Sequence, residues 1–195
     1  MNLKMKQKFE SRESKFLRGV WQNVCVATGS KKCASIIVVC HLIQDSLSLI
    51  EFLNELFSVE VIIPKPKSIN ASVRMHVAKM GIAVADIHRM DVSNYSPAIQ
   101  DIVQNRKNQH LLILDMGGYF SSCIDNIHNE IGSDFLGVVE DTENGLKRYR
   151  NRANLPVPVF SVADSTLKRP ENLLVGASTV DPAYLRKSVG LVAFV

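Results

Sequence analysis

Between Ser35 and Val162, short apolar runs alternate with longer stretches in which apolar residues return every three or four places. The runs are SIIVVC (35–40), VEVII (59–63), IAVADI (82–87), LLIL (111–114), FLGVV (135–139) and PVFSV (158–162), most of them rich in β-branched side chains. Runs of this length and composition predict buried strands. Between them, Leu42, Leu49, Ile50, Leu53 and Leu56 recur at helical spacing, as do Val73, Val77 and Met80 ahead of Gly81. Further helices are predicted over 96–106, with Ile99, Ile102 and Val103 inward, over 124–131, and over the basic segment 144–152. Pro64 and Pro66 predict a loop closing the second strand.

Strands that alternate with helices form βαβ units, whose right-handed crossovers give a parallel sheet buried on both faces. The expected fold is therefore α/β, a doubly wound three-layer sandwich. Ligands bind such sheets beyond the carboxyl ends of the strands. Here LLIL ends in Asp115, and FLGVV ends in Glu140 and Asp141, so acids stand where a site is expected. Asp115, followed by Gly117 and Gly118, also fits an acid that starts a tight turn and caps the next helix.

Composition narrows the class. The chain has 195 residues, 46% hydrophobic and 22% charged, which suits one domain with a short extension. No apolar run approaches the roughly 18 residues of a membrane span. The opening MNLKMKQKFESRESKFLRG is basic but has no apolar core behind it, so it does not read as a secretory signal. Residues 1–34 are read as a basic extension, an amphipathic helix or a docking arm. Cys25, Cys33, Cys40 and Cys123 form no CxxC pair, which favours free thiols and a cytoplasmic setting. The formal charge of +4 comes largely from the first 20 residues and from Lys147 to Arg152, with no aromatics interleaved, so solvated faces are expected rather than a nucleic-acid footprint. His76, His88, His110 and His128 lack ligand spacing, and no metal site is expected.

Four segments, HLIQDSLSLIEFL (41–53), LLILDMGG (111–118), GVVEDTENG (137–145) and FSVADSTLKRPENLLVG (160–176), follow one another in an order that resembles the substrate-binding domain of the S-adenosylhomocysteine hydrolase family. The resemblance covers about 35–176. It implies a nucleoside pocket and the family's chemistry, in which a tightly held NAD oxidises the ribose 3′ hydroxyl, the 4′ proton is removed and homocysteine leaves the 5′ carbon. Carried onto this chain, it places His41 near the 5′ leaving group, Asp45 where a Glu reads the adenine amino group, and Lys168 at the catalytic lysine. Asp115 matches the first of two aspartates. Glu140 matches the first of two glutamates, and Asp141 replaces the second, which holds the ribose hydroxyls. Glu171 and Asn172 fall near an Asp-Asn pair, and Thr142 is the one retained threonine of three that touch the cofactor.

Several positions depart from the pattern. Met116 replaces the second aspartate, and a thioether accepts no proton at neutral pH; losing a positioned acid or base costs on the order of 10² to 10⁴ in rate. Ile43 replaces a substrate-binding threonine, and Glu143 and Asn144 replace two cofactor threonines. The tail, 177–195, resembles the linker and first strand of the family's NAD-binding domain, yet no G-x-G-x-x-G occurs in the chain. The expectation is a divergent nucleoside-binding relative that binds no NAD alone and is not a complete hydrolase by itself, acting as a homo-oligomer or with a partner that supplies an NAD domain. Two alternatives are a fragment or subunit of an active NAD-dependent hydrolase, and an interaction module that pairs with a full-length hydrolase.

Overall fold

The computed structural model describes residues 34–165, together with Gly19 and Lys168. The expected helix or arm before Ala34, the tail strand GLVAFV, and Glu171 and Asn172 lie outside the described residues. The strands are β1 (Ala34–Leu42), β2 (Ser58–Ile69), β3 (Ala83–Val84), β4 (His110–Asp115), β5 (Phe135–Glu140) and β6 (Val159–Ser161). All are parallel, in the order β3-β2-β1-β4-β5-β6. The chain thus builds outward from β1 to β3, then crosses back to β4 on the other side of β1. The fold is the doubly wound α/β sandwich that the alternation predicts.

The helices are α1 (Leu47–Leu56), α2 (Ala71–Lys79), α3 (Arg89–Ser93), α4 (Pro97–Gln104), α5 (Ile124–Ile131) and α6 (Glu143–Arg150). Successive side chains of a strand point to opposite faces, so a strand buried on both sides feeds two cores. Ile36, Val38, Cys40 and Leu42 of β1 pack with Ile50 and Leu53 of α1 and Val73 and Val77 of α2. Ile37 and Val39 face the other layer, among Val92 of α3, Ile99 and Val103 of α4, Ile124 and Ile127 of α5, and Tyr149 of α6. Local chemistry starts two of these helices. The Asn70 side chain accepts from the backbone N–H groups of Ser72 and Val73 ahead of α2, and Pro97 occupies the first turn of α4.

The structure alters several predicted boundaries. Leu42 belongs to β1 rather than to the helix that follows, which starts only at Leu47 after a single tight turn over Gln44–Ser46. The third strand is reduced to Ala83–Val84, and the short helix α3 is an addition. Most consequential for the site, β2 does not stop at the prolines but runs through Pro64 and Pro66 to Ile69, pairing Pro64 with Cys40 and Ile69 with Leu42. β3 pairs only with Val61 and Ile62, so past that point one side of β2 is an open edge, where a residue without an N–H breaks no ladder bond. This extension brings Lys65 and Ser68 alongside the end of β1.

Candidate functional site

The strand order reverses between β1 and β4, and a crevice at the carboxyl ends follows from that reversal. Beneath it, two carboxylates sit side by side in the register of β4 and β5, Asp115 opposite Glu140, both with no exposed surface. Asp115 accepts from the backbone N–H groups of Tyr119 and Phe120, both at 3.0 Å, and from the Tyr149 hydroxyl at 2.7 Å. Glu140 accepts from the N–H groups of Gly117 (3.0 Å) and Gly118 (2.9 Å), and from both the N–H and the hydroxyl of Thr142, each at 2.7 Å. The turn from Met116 to Phe120 is therefore tied down at four successive amides. Gly117 and Gly118 have φ of +99° and +63°, a left-handed backbone that only glycine adopts without strain.

The walls are cationic. Lys65 donates to the Met116 carbonyl at 2.8 Å and lies 4.7 Å from the centre of the Tyr119 ring. Arg89 donates to the carbonyls of Gly117 (2.7 Å) and Gly118 (3.1 Å), with its guanidinium 5.4 Å from the same ring. Lys147 and Arg148 project from α6, which is capped by Thr142: the threonine oxygen accepts from the Gly145 N–H at 3.0 Å. Together with His41, Met116, Gly117, Thr142, Asn144 and Asn151 these residues line an open cleft of about 550 Å³. Among the described residues, no carboxylate lines it.

Ionisation follows from this layout. Burial pushes Asp115 up to about 6, and the charge of Glu140 adds to the shift, while the Tyr149 hydroxyl and the two backbone amides oppose it. Lys65 is lowered, first by desolvation and then by the neighbouring Arg89 and Arg148, against the pull of Asp115 and Glu140. Arg89 is likewise lowered by desolvation and by Arg148. His41, whose Nδ1 meets the Ser68 hydroxyl, is lowered by desolvation and by Lys65, with Asp141 opposing.

Of the residues singled out from sequence, those that are described gather at this one end of the sheet but do not share one surface. His41 and Thr142 line the cleft. Asp115 and Glu140 lie under it, with their oxygens turned to backbone donors; for Asp115 this is the turn-capping arrangement. Asp141 bonds through its N–H to the Asp115 carbonyl, and its carboxylate accepts from the Lys168 ammonium at 3.0 Å, so these two charges face each other, outside the cleft lining. Asp45 is exposed on the turn after β1, also outside the lining.

Pattern reading did not pick out Lys65, Arg89, Lys147 or Arg148. Lys65 was hidden in a proline segment read as a loop, and Lys147 and Arg148 in a basic run read as a solvated face. The clustering of Lys and Arg after Gly145 was the one signal available.

Fold and cleft together define a doubly wound α/β domain with a cation-lined cleft at the carboxyl edge of its sheet. No protein-family model matches the chain, and no curated protein matches it. Among the described residues, no group of three or more His, Cys, Asp or Glu is arranged to hold a metal ion, and no helix is long and apolar enough to cross a membrane. Cys40 and Cys123 are buried free thiols. Chemically, the cleft offers positive charge, amide and hydroxyl groups, and one imidazole.

Proposed function

We propose that this chain binds a nucleoside-class ligand, such as adenosine or S-adenosylhomocysteine, in the cleft at the ends of β1 and β4, and does not by itself complete the hydrolase cycle that its motifs resemble. The observation that carries this reading is the position of the cleft, at the reversal of strand order, with His41 and Thr142 in its lining. Its volume falls within the range of small-molecule sites. Proton transfer in such a cycle needs an acid or base within hydrogen-bond reach of the substrate. His41 lines the cleft and can carry a proton, but Asp115 and Glu140 are engaged by buried donors, and Met116, at the place of the family's second aspartate, cannot carry one. NAD would come from a partner or from a second polypeptide segment. A reducing, cytoplasmic setting suits the buried free thiols.

Titration calorimetry with adenosine and with S-adenosylhomocysteine tests the reading. Saturable heat that is lost in His41→Ala supports it, and no heat at millimolar ligand overturns it. The Asp141–Lys168 contact favours a second reading, a subunit of an NAD-dependent enzyme, because it sets a lysine at the family's catalytic position against a partly buried carboxylate. Co-purification with an NAD-binding subunit separates the two: reduction of NAD by adenosine in that assembly, and not in the chain alone, would replace the binding-only reading with the enzymatic one.

A further inference from the structure

The cleft holds more positive charge than its surroundings neutralise. Lys65, Arg89, Lys147 and Arg148 line it, and the acids beneath are Asp115 and Glu140, leaving an excess of about two charges of the kind a phosphate monoester carries near pH 7. Lys65, Arg89 and Arg148 also repel one another, since each of the first two is lowered by its cationic neighbours. Among the described residues lining the cleft, only neutral groups, such as the carbonyls of Met116 and Gly117, face these cations, and no anionic side chain does.

The glycine turn decides how an anion would be held. In phosphate-binding turns the backbone N–H groups point at the ligand. Here the N–H groups of Gly117 and Gly118 point down to Glu140, and their carbonyls face Arg89. The turn therefore offers an anion no amide from either glycine, and the holding falls to side chains. The same glycines let those side chains lie close: a Cβ on Gly117 would come within 2.8 Å of the Lys65 ammonium nitrogen, and one on Gly118 within 2.8 Å of Arg148 Cδ. Lys65 uses one of its three donors on Met116, and Arg89 uses one terminal nitrogen on the turn, so both retain donors for a ligand oxygen.

We propose that the ligand of this cleft is a phosphate monoester, a nucleoside monophosphate rather than a neutral nucleoside, with its phosphate held by Lys65, Arg89 and Arg148 and with Lys147 at the rim. The phosphate half of this inference stands on the cations alone; the base and sugar half rests on the nucleoside reading given above. Thr142, Asn144 and Asn151 supply neutral donors and acceptors for the remainder of the ligand.

Calorimetry on the full chain with adenosine, adenosine 5′-monophosphate, ribose 5-phosphate and inorganic phosphate tests it. The monophosphate is expected to bind at least about tenfold more tightly than adenosine, the worth of one added charge-assisted hydrogen bond. That advantage should shrink with added salt and in Arg148→Gln and Lys147→Gln, whose side chains are exposed on α6, with unchanged circular dichroism. Equal binding of adenosine and its monophosphate would overturn the phosphate inference and leave the nucleoside reading standing. Equal binding of ribose 5-phosphate and adenosine monophosphate, with none of adenosine, would uphold the phosphate inference and overturn the nucleoside reading. Silence with every ligand would overturn both.

Discussion

Gly145 sits in the first turn of α6, where helix propensity alone says that alanine is better by about 1 kcal/mol. The packing says the opposite. A Cβ at this position would lie 2.1 Å from the carboxyl carbon of Glu140 and 2.2 and 2.3 Å from its two oxygens, well inside contact distance. Gly145→Ala must therefore push the Glu140 carboxylate away from the donors it serves, namely the N–H groups of Gly117, Gly118 and Thr142 and the Thr142 hydroxyl. The two glycine amides are buried, and a buried donor left without an acceptor costs roughly 1–3 kcal/mol. Those two together outweigh the propensity gain, and the expected net loss is about 1–5 kcal/mol, a large share of the roughly 5–15 kcal/mol that holds a typical domain. Urea denaturation followed by circular dichroism reads this as a lower midpoint at unchanged slope. In a double-mutant cycle with Glu140→Ala the two losses should be sub-additive, because both act on the same four bonds. A Gly145→Ala midpoint equal to or above wild type would show that the Glu140 floor does not hold the turn.

Two further outcomes follow from Asp115. Its folded-state value of about 6 lies above the ordinary carboxyl value near 3.9, so the folded chain holds a proton that the unfolded chain has released; its contribution to stability is present below about pH 4 and lost as pH rises through 6, by about 3 kcal/mol. Unfolding free energies of wild type and Asp115→Asn measured from pH 4 to 7 should therefore diverge across that window, and a constant difference would refute the assignment. Tyr149→Phe removes a buried donor that lowers Asp115, so it should destabilise the fold by about 1–3 kcal/mol above pH 6 and move the Asp115 transition upward; an unmoved transition would mean that the hydroxyl does not govern this carboxyl.

Much of the fold was legible because burial leaves a period in the sequence. The runs 35–40, 111–114 and 135–139 could be read as interior strands because each is a near-continuous apolar run without polar alternation, although only the first is buried throughout on both faces and Leu136 of the third is exposed. Proline misled the reading of β2 because its effect depends on what lies beside it. Pro64 and Pro66 would interrupt a strand hydrogen-bonded on both sides, but beyond Ile62 the β3 side is open. No local pattern reports how long a neighbouring strand is. The third strand was expected over 82–87 and is shorter, and the helix Arg89–Ser93 escaped because it has too few residues to show a period.

The site divides along the same line. Sequence by itself determined that this is a parallel α/β chain, and that acids, a histidine and a glycine pair fall at strand ends, because strand length, helix spacing and turn chemistry are local properties of a chain. Only the tertiary structure decided where those groups point. Asp115 and Glu140 turn inward because the amides of residues 117–120 fold back over them, while Lys65, Arg89 and Arg148, from three separate elements, meet above the same turn. Charge in a cleft is a sum over residues far apart in sequence, and the crossover from β3 back to β4 is what brings them together.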